Sequence, residues 1–227
     1  MNQLSGICKI SFTSIRLFLY VFLSLECIHF IINISLAAFG INTHTEVSHA
    51  NTAAAFLLII PVILPTFTFK QALFLGASRS SYFWGTIIFL ILASCIAALL
   101  NTVWYYVEIH ILSAYKHYFN IIRIFEWNKS GTMGIFLYQF FAYLPAMAFV
   151  HLLFSGFWSR KGIALWLVSG AVISVSVSVG MLRQCIGLAL QFLLYRSHLF
   201  ISMGCELLLT AAFFFTCWHL FIKQRQV

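Results

Sequence analysis

The chain has 227 residues, of which 62% are apolar and only 8% charged, with a mean hydropathy of +0.98. A soluble domain carries about 25% charged residues, so this composition excludes an ordinary water-exposed enzyme and indicates a membrane protein. Thirteen Lys and Arg stand against five acidic residues; the cations are dispersed near the ends of apolar segments and form no patch, which excludes a nucleic-acid surface and marks them as topology charge.

In chain order, residues 1–16 are amphipathic. Leu4, Ile7, Cys8, Phe12 and Ile15 recur at helical spacing, with Ser5, Lys9, Thr13 and Arg16 on other faces, the pattern of an interfacial helix. A first span is predicted over about 17–39, matching the ~20 residues a bilayer needs. Ser35-Leu36-Ala37 resembles a signal cleavage site, but the apolar run exceeds the ~7–15 residues of a signal peptide's core, so a retained span is expected. The polar stretch 40–52 holds Glu46 and no Lys or Arg, and reads as external. The second span, about 53–69, carries Pro61 and Pro65 one turn apart. Each removes a backbone donor, so a kink is expected.

A short basic loop, 70–82, leads to the third span, about 83–107. Residues 108–131 place Tyr118, Ile121, Ile122 and Phe125 on one helical face, which predicts an external helix resting on the membrane. The fourth span, about 133–157, contains Pro145 and ends in the basic turn Ser159-Arg160-Lys161-Gly162. The fifth, about 163–180, is dense in small residues (Ser169, Gly170, Ser174, Ser176, Ser178, Gly180), which let a neighbouring helix approach closely. Residues 181–197 are too short and polar to span and read as an external helical segment. The sixth span covers about 198–222. Placing both termini in the cytoplasm puts Lys9, Arg16, Lys70, Arg79, Arg160, Lys161, Lys223 and Arg225 inside, against Lys116, Arg123, Lys129, Arg183 and Arg196 outside, as the positive-inside rule requires. The expected fold is therefore a single all-α transmembrane domain of six helices, multi-pass in the cell membrane, with interfacial helices.

Few residues offer chemistry. Glu26 and His29 stand one turn apart in the first span; a Glu-x-x-His pair can be half of a di-metal site, but that requires a second copy, which the chain lacks. The pair is expected to bond a neighbouring helix or line an internal cavity, and Glu206 in the sixth span to face protein or water and not lipid. His44 and His49, in the first external loop, are expected to be ordinary solvated histidines and not a metal pair. The six cysteines show no CxxC spacing and read as small buried hydrophobes. No phosphate-binding glycine loop and no His-Glu-x-x-His occurs, so no catalytic residue, metal or bound cofactor is expected.

The most informative stretch is Phe69 to Tyr82. Gln71-Ala72-Leu73-Phe74-Leu75 can continue a helix, Gly76 breaks it, and Ser78 can cap the next one. By composition alone a docking loop and a turn holding topology charges are equally supported. The stretch Leu75-Gly76-Ala77-Ser78-Arg79, followed by Ser80-Ser81-Tyr82-Phe83-Trp84-Gly85 and a long apolar run ending in Tyr105-Tyr106-Val107-Glu108, resembles the loop of Gram-positive ABC-2-type exporter permeases. The turn at Phe154 to Gly162 and the six-span plan are also similar to theirs. That resemblance implies that Lys70, Gln71, Leu75, Gly76, Ala77, Ser78, Arg79 and Ser80 form a coupling element against a separate ABC ATPase subunit, which would hold the ATP and magnesium. It further implies a second permease copy or a related permease as partner. The substrate would be amphipathic or hydrophobic: a lipid, a peptide antibiotic or a toxic peptide, with antimicrobial peptide resistance as one role. A six-span substrate-capturing uptake component and a non-transporting membrane immunity protein are the alternatives.

Overall fold

Where a segment sits in lipid, its backbone polar groups must be satisfied within the segment itself, and a helix does this. A computed structural model describes residues 3–39, 46–112, 118–195 and 199–224. Six helical segments are long and apolar enough to cross a membrane: Leu4–Leu36, His49–Phe74, Arg79–His110, Trp127–Ser155, Arg160–Ser178 and Phe200–Ile222. The protein is thus an all-α membrane protein. Its only β-structure among the described residues is a two-residue parallel pairing of β1 (Glu46–Val47) with β2 (Tyr118–Phe119). Of the charges used for orientation, Lys116, Arg196 and Arg225 lie outside the described residues.

The first segment departs from expectation. Helix α1 (Gln3–Ala38) runs unbroken for 36 residues, about 54 Å, where an interfacial helix and a separate span were predicted. Ile7, Ser11 and Ile15 are buried along one stripe, so the amphipathicity of its first turns serves contact with protein. From Arg16 to Leu36 no described side chain is buried.

The second segment is broken, as its prolines demand. It consists of α2 (His49–Leu57), α3 (Ile60–Ile63), a π-helical turn Leu64–Thr68, and α4 (Phe69–Phe74). Pro61 occupies the first turn of α3, where its missing N–H costs nothing. Pro65 cannot donate to the carbonyl one turn back, and the chain widens to a π-turn there. The Leu64 carbonyl then takes the Thr68 hydroxyl at 2.6 Å and the Tyr82 hydroxyl at 2.8 Å.

Helix α5 (Arg79–Val107) runs parallel to α1. At one end a Cβ added to Gly85 would lie 2.7 Å from Cγ2 of Ile7, so only glycine admits this approach. At the other, the rings of Phe30 and Trp104 meet at 5.6 Å. The 19 residues from Gly85 to Trp104 rise about 28 Å, close to the ~30 Å of a hydrocarbon core. The membrane-length part of α1 therefore begins near Ile7, and Glu26 lies toward its far end.

In place of the expected surface helix over 108–131, the described residues form short pieces: a π-turn Glu108–Leu112, β2, α6 (Ile121–Ile124) and a 3-10 turn Trp127–Ser130, the last three making a cap; residues 113–117 lie outside those described. Asn120 is extended and caps α6, and Glu126 turns left-handed at φ 60°; together they stop any longer helix. Ile122 and Trp127 then bury themselves against Tyr105, Ile135 and Tyr138. Helix α7 (Gly131–Ser155) and α10 (Leu199–Cys217) complete the core, with Phe149 and Phe213 in ring contact at 5.3 Å. Helix α8 (Arg160–Ser178) buries only Gly162, and α9 (Gly180–Leu194), the helix expected after the fifth span, buries nothing.

Two polar networks tie the bundle. Asn101 donates to the Ala50 carbonyl and to Tyr143, Tyr143 donates to Gln139, and Gln139 donates to Thr102, the interhelical bonding expected where hydrocarbon offers no alternative partner. The second network centres on Glu108. Its buried carboxylate accepts from Ser48 at 2.5 Å and from Trp104 and Asn120 at 2.8 Å each. Ser48 in turn caps α2, and Asn120 caps α6. Glu108→Leu removes the acceptor of the buried Ser48 hydroxyl and of the half-buried Trp104 N–H, while Asn120 keeps its bond to Ser48 Oγ; at ~1–3 kcal/mol for each unmet buried group, thermal melting in detergent should show a clear loss of stability.

Candidate functional site

The Phe69–Tyr82 stretch folds as its residues direct. Helix α4 ends in a paired carbonyl lock: the Gly76 N–H donates to Leu73 O at 3.0 Å and the Ala77 N–H to Ala72 O at 3.0 Å. This termination needs a left-handed residue after the last helical one, and Gly76 supplies φ +82°. Ser78 then caps α5, its hydroxyl accepting from the Ser81 N–H at 3.0 Å. The result is a rigid elbow. It is anchored from inside by Phe69 and Tyr82, both buried, whose rings meet at 5.0 Å and 81°.

The outer surface of the elbow carries most of the residues singled out from the sequence. Lys70, Gln71, Leu75, Gly76, Ser78, Arg79 and Ser80 are exposed, and Ala77 is half-buried against the core. The tip is apolar: Phe74 is 81% and Leu75 74% exposed. Phe74 carries no sequence signal beyond its neighbours, because any phenylalanine in so apolar a chain reads as buried. Arg79 is engaged within the molecule, donating to the Lys223 carbonyl at 2.8 Å. This bond places a cation at the end of the last helical turn, where it complements the helix dipole. Lys70 turns toward an open basin of about 550 Å³ lined also by Arg160, Lys161, Trp158 and Gln224. The elbow thus stands at the basic end of the bundle.

A second cluster forms at the opposite end. Glu26 and His29 on α1 meet His49, the first residue of α2, and their ligand atoms all lie within 4.8 Å of one another. The Glu26 carboxylate contacts His49 Nδ1 directly. The His49 ring is enclosed by His29 at 5.0 Å, Trp104 at 5.5 Å and Phe30 at 5.7 Å. Glu26 does bond a neighbouring helix, as expected. His49, expected to be solvated, is instead nearly enclosed, its side chain 10% exposed. No local spacing joins it to Glu26, 23 residues earlier; only the chain reversal between α1 and α2 brings them together. His44 lies outside the described residues.

Glu206 is buried within the bundle on α10, with Oε2 lacking a hydrogen-bond partner among the described residues. It faces protein, as an ionisable group at depth should. Cys8, Cys27, Cys95, Cys185 and Cys205 are free thiols.

No family model, curated protein or solved structure matches this chain. Gly76→Val forces a branched side chain into the left-handed region, a cost of about 1–2 kcal/mol. Because nothing crowds that position, amide exchange should quicken across the elbow, from Leu73 to Ser81, while exchange around Glu108 stays unchanged.

Proposed function

We propose that this chain is the transmembrane permease subunit of an ATP-driven exporter of the ABC-2 type, multi-pass in the cell membrane, with the elbow on the cytoplasmic side. ATP and magnesium would be handled by a separate ATPase subunit, and a second permease copy or a related permease would complete the path. One observation carries the reading: a locked elbow between the broken second segment and the long α5 presents an exposed Phe74–Leu75 tip beside exposed Lys70, Gln71 and Ser80. Apolar anchors rimmed by polar groups are what a protein partner grips.

The mechanics follow from the rigidity. A push on the tip cannot be absorbed within the turn, because both helix ends are capped. It passes instead to the 29-residue α5 and, through Phe69, to the π-turn and proline break of the second segment, where a helix bends most readily. Arg79 couples the same elbow to the end of the last segment through Lys223. Partner closure would therefore tilt three segments at once. The large apolar surfaces of α8 and α9 suit contact with lipid or a second permease, and an amphipathic or hydrophobic cargo such as a lipid or a toxic peptide.

Affinity purification from native membranes should recover an ABC ATPase, identified by mass spectrometry, with the intact chain. The double substitution Phe74→Glu, Leu75→Glu should reduce that recovery about tenfold or more, since two interface anchors exceed the ~1.4 kcal/mol that a tenfold change requires. Its melting temperature should stay unchanged. Wild-type protein that brings down no ATPase overturns the reading. Orientation has its own check: Ser80→Cys in a cysteine-free background should react with a membrane-impermeant thiol reagent only when the cytoplasmic face is open.

A further inference from the structure

The cluster at the far end of α1 has no part in coupling. We infer that Glu26, His29 and His49 form a binding site for one divalent transition metal ion of the zinc class. Two imidazoles and a carboxylate, with a fourth position left open, form a recognised ligand set for zinc. Nitrogen donors favour such ions over magnesium or calcium, which prefer all-oxygen sites.

The geometry supports the assignment. Glu26 and His29 are three residues apart on α1 and so share a face, while His49 comes from a different helix. Their ligand atoms lie within 4.8 Å of one another, and a tetrahedral ion with bonds of ~2.0–2.1 Å holds its ligand atoms roughly 3.4 Å apart. The farthest donors must close and the directly touching Glu26–His49 pair must part, each by side-chain adjustment on the order of 1 Å. Little opposes it, since α1 has no buried side chain from Arg16 onward among those described.

His49 is positioned in advance. Its predecessor Ser48 is fixed by the Glu108 carboxylate at 2.5 Å, and the His49 carbonyl accepts the Thr52 hydroxyl at 2.8 Å. Phe30 and Trp104 wall the ring, which keeps water from competing with the donors on that side. A plain Glu26–His49 ion pair accounts for those two residues. His29 adds a third donor: its ring stands edge-on to His49 at 5.0 Å, with its ligand atom within 4.8 Å of both. A bound ion would clip the loosely packed outer part of α1 to the start of α2.

The experiment uses the full-length protein in lipid nanodiscs, stripped with chelator and titrated with Co²⁺ as a spectroscopic stand-in for zinc. The expected result is one ion per chain, tetrahedral visible absorption bands, and their loss on adding Zn²⁺. His29→Ala alters an exposed residue and should fold. It and Glu26→Gln should weaken binding by roughly 100-fold, the upper end of what losing even an outer-shell partner costs. His29→Cys should restore zinc binding, because a thiolate replaces the imidazole. Chelator should lower the melting temperature of the wild type and leave that of His29→Ala unmoved. Absence of stoichiometric ion in the wild type, or an affinity in His29→Ala and Glu26→Gln equal to that of the wild type, overturns the inference. Neither result depends on ATPase capture.

Discussion

One buried carboxylate organises the end of the molecule away from the elbow. Glu108 satisfies three donors from three places in the chain, and two of those donors, Ser48 and Asn120, are themselves helix caps. The start of the second segment, the end of the third and the cap that holds Asn120 therefore share one acceptor. A polar group withdrawn from water is tolerated only when its hydrogen-bonding capacity is met, and here the bonds come from separate elements. The parallel β1–β2 contact follows the same alignment, with the Ser48 N–H donating to the Phe119 carbonyl. The position of His49, and hence of the Glu26–His29–His49 cluster, rests on this knot.

The two ends of the bundle are held differently. At the basic end the packing is apolar and dense: Leu64, Phe69, Tyr82, Phe83, Met147 and Phe221 belong to one buried cluster. Backbone geometry there is set by a left-handed glycine and a serine cap. At the other end polar bonds take over. A rigid end and a hydrogen-bonded end, joined by a segment with a proline break and a π-turn, form a body in which displacement at one end concentrates at the break. The proposed coupling and the proposed metal clip thus act on opposite ends of the same helices.

Protein, not lipid, covers two of the apolar stripes. The stripe of α1 that reads as a helix lying on lipid packs on protein, and the face of 118–125 that reads as a surface helix belongs to a folded cap. An apolar stripe states that one side avoids water; it does not state whether lipid or protein covers it. In the cap, the decisive signals were Asn120 and Glu126, single residues whose effect depends on the contacts that stabilise the turn.

Composition and spacing by themselves determined the all-α class, the six long apolar segments, the proline break, the Gly76 stop and the Ser78 cap. These are local properties, set by helix energetics within a few residues. The tertiary structure alone decided which side of α1 is buried, that Arg79 reaches Lys223, that Phe74 is exposed, and that His49 meets Glu26 and His29. Each of those depends on residues far apart in the chain, and in so apolar a sequence no pattern of hydrophobicity distinguishes a helix face turned to lipid from one turned to a neighbour.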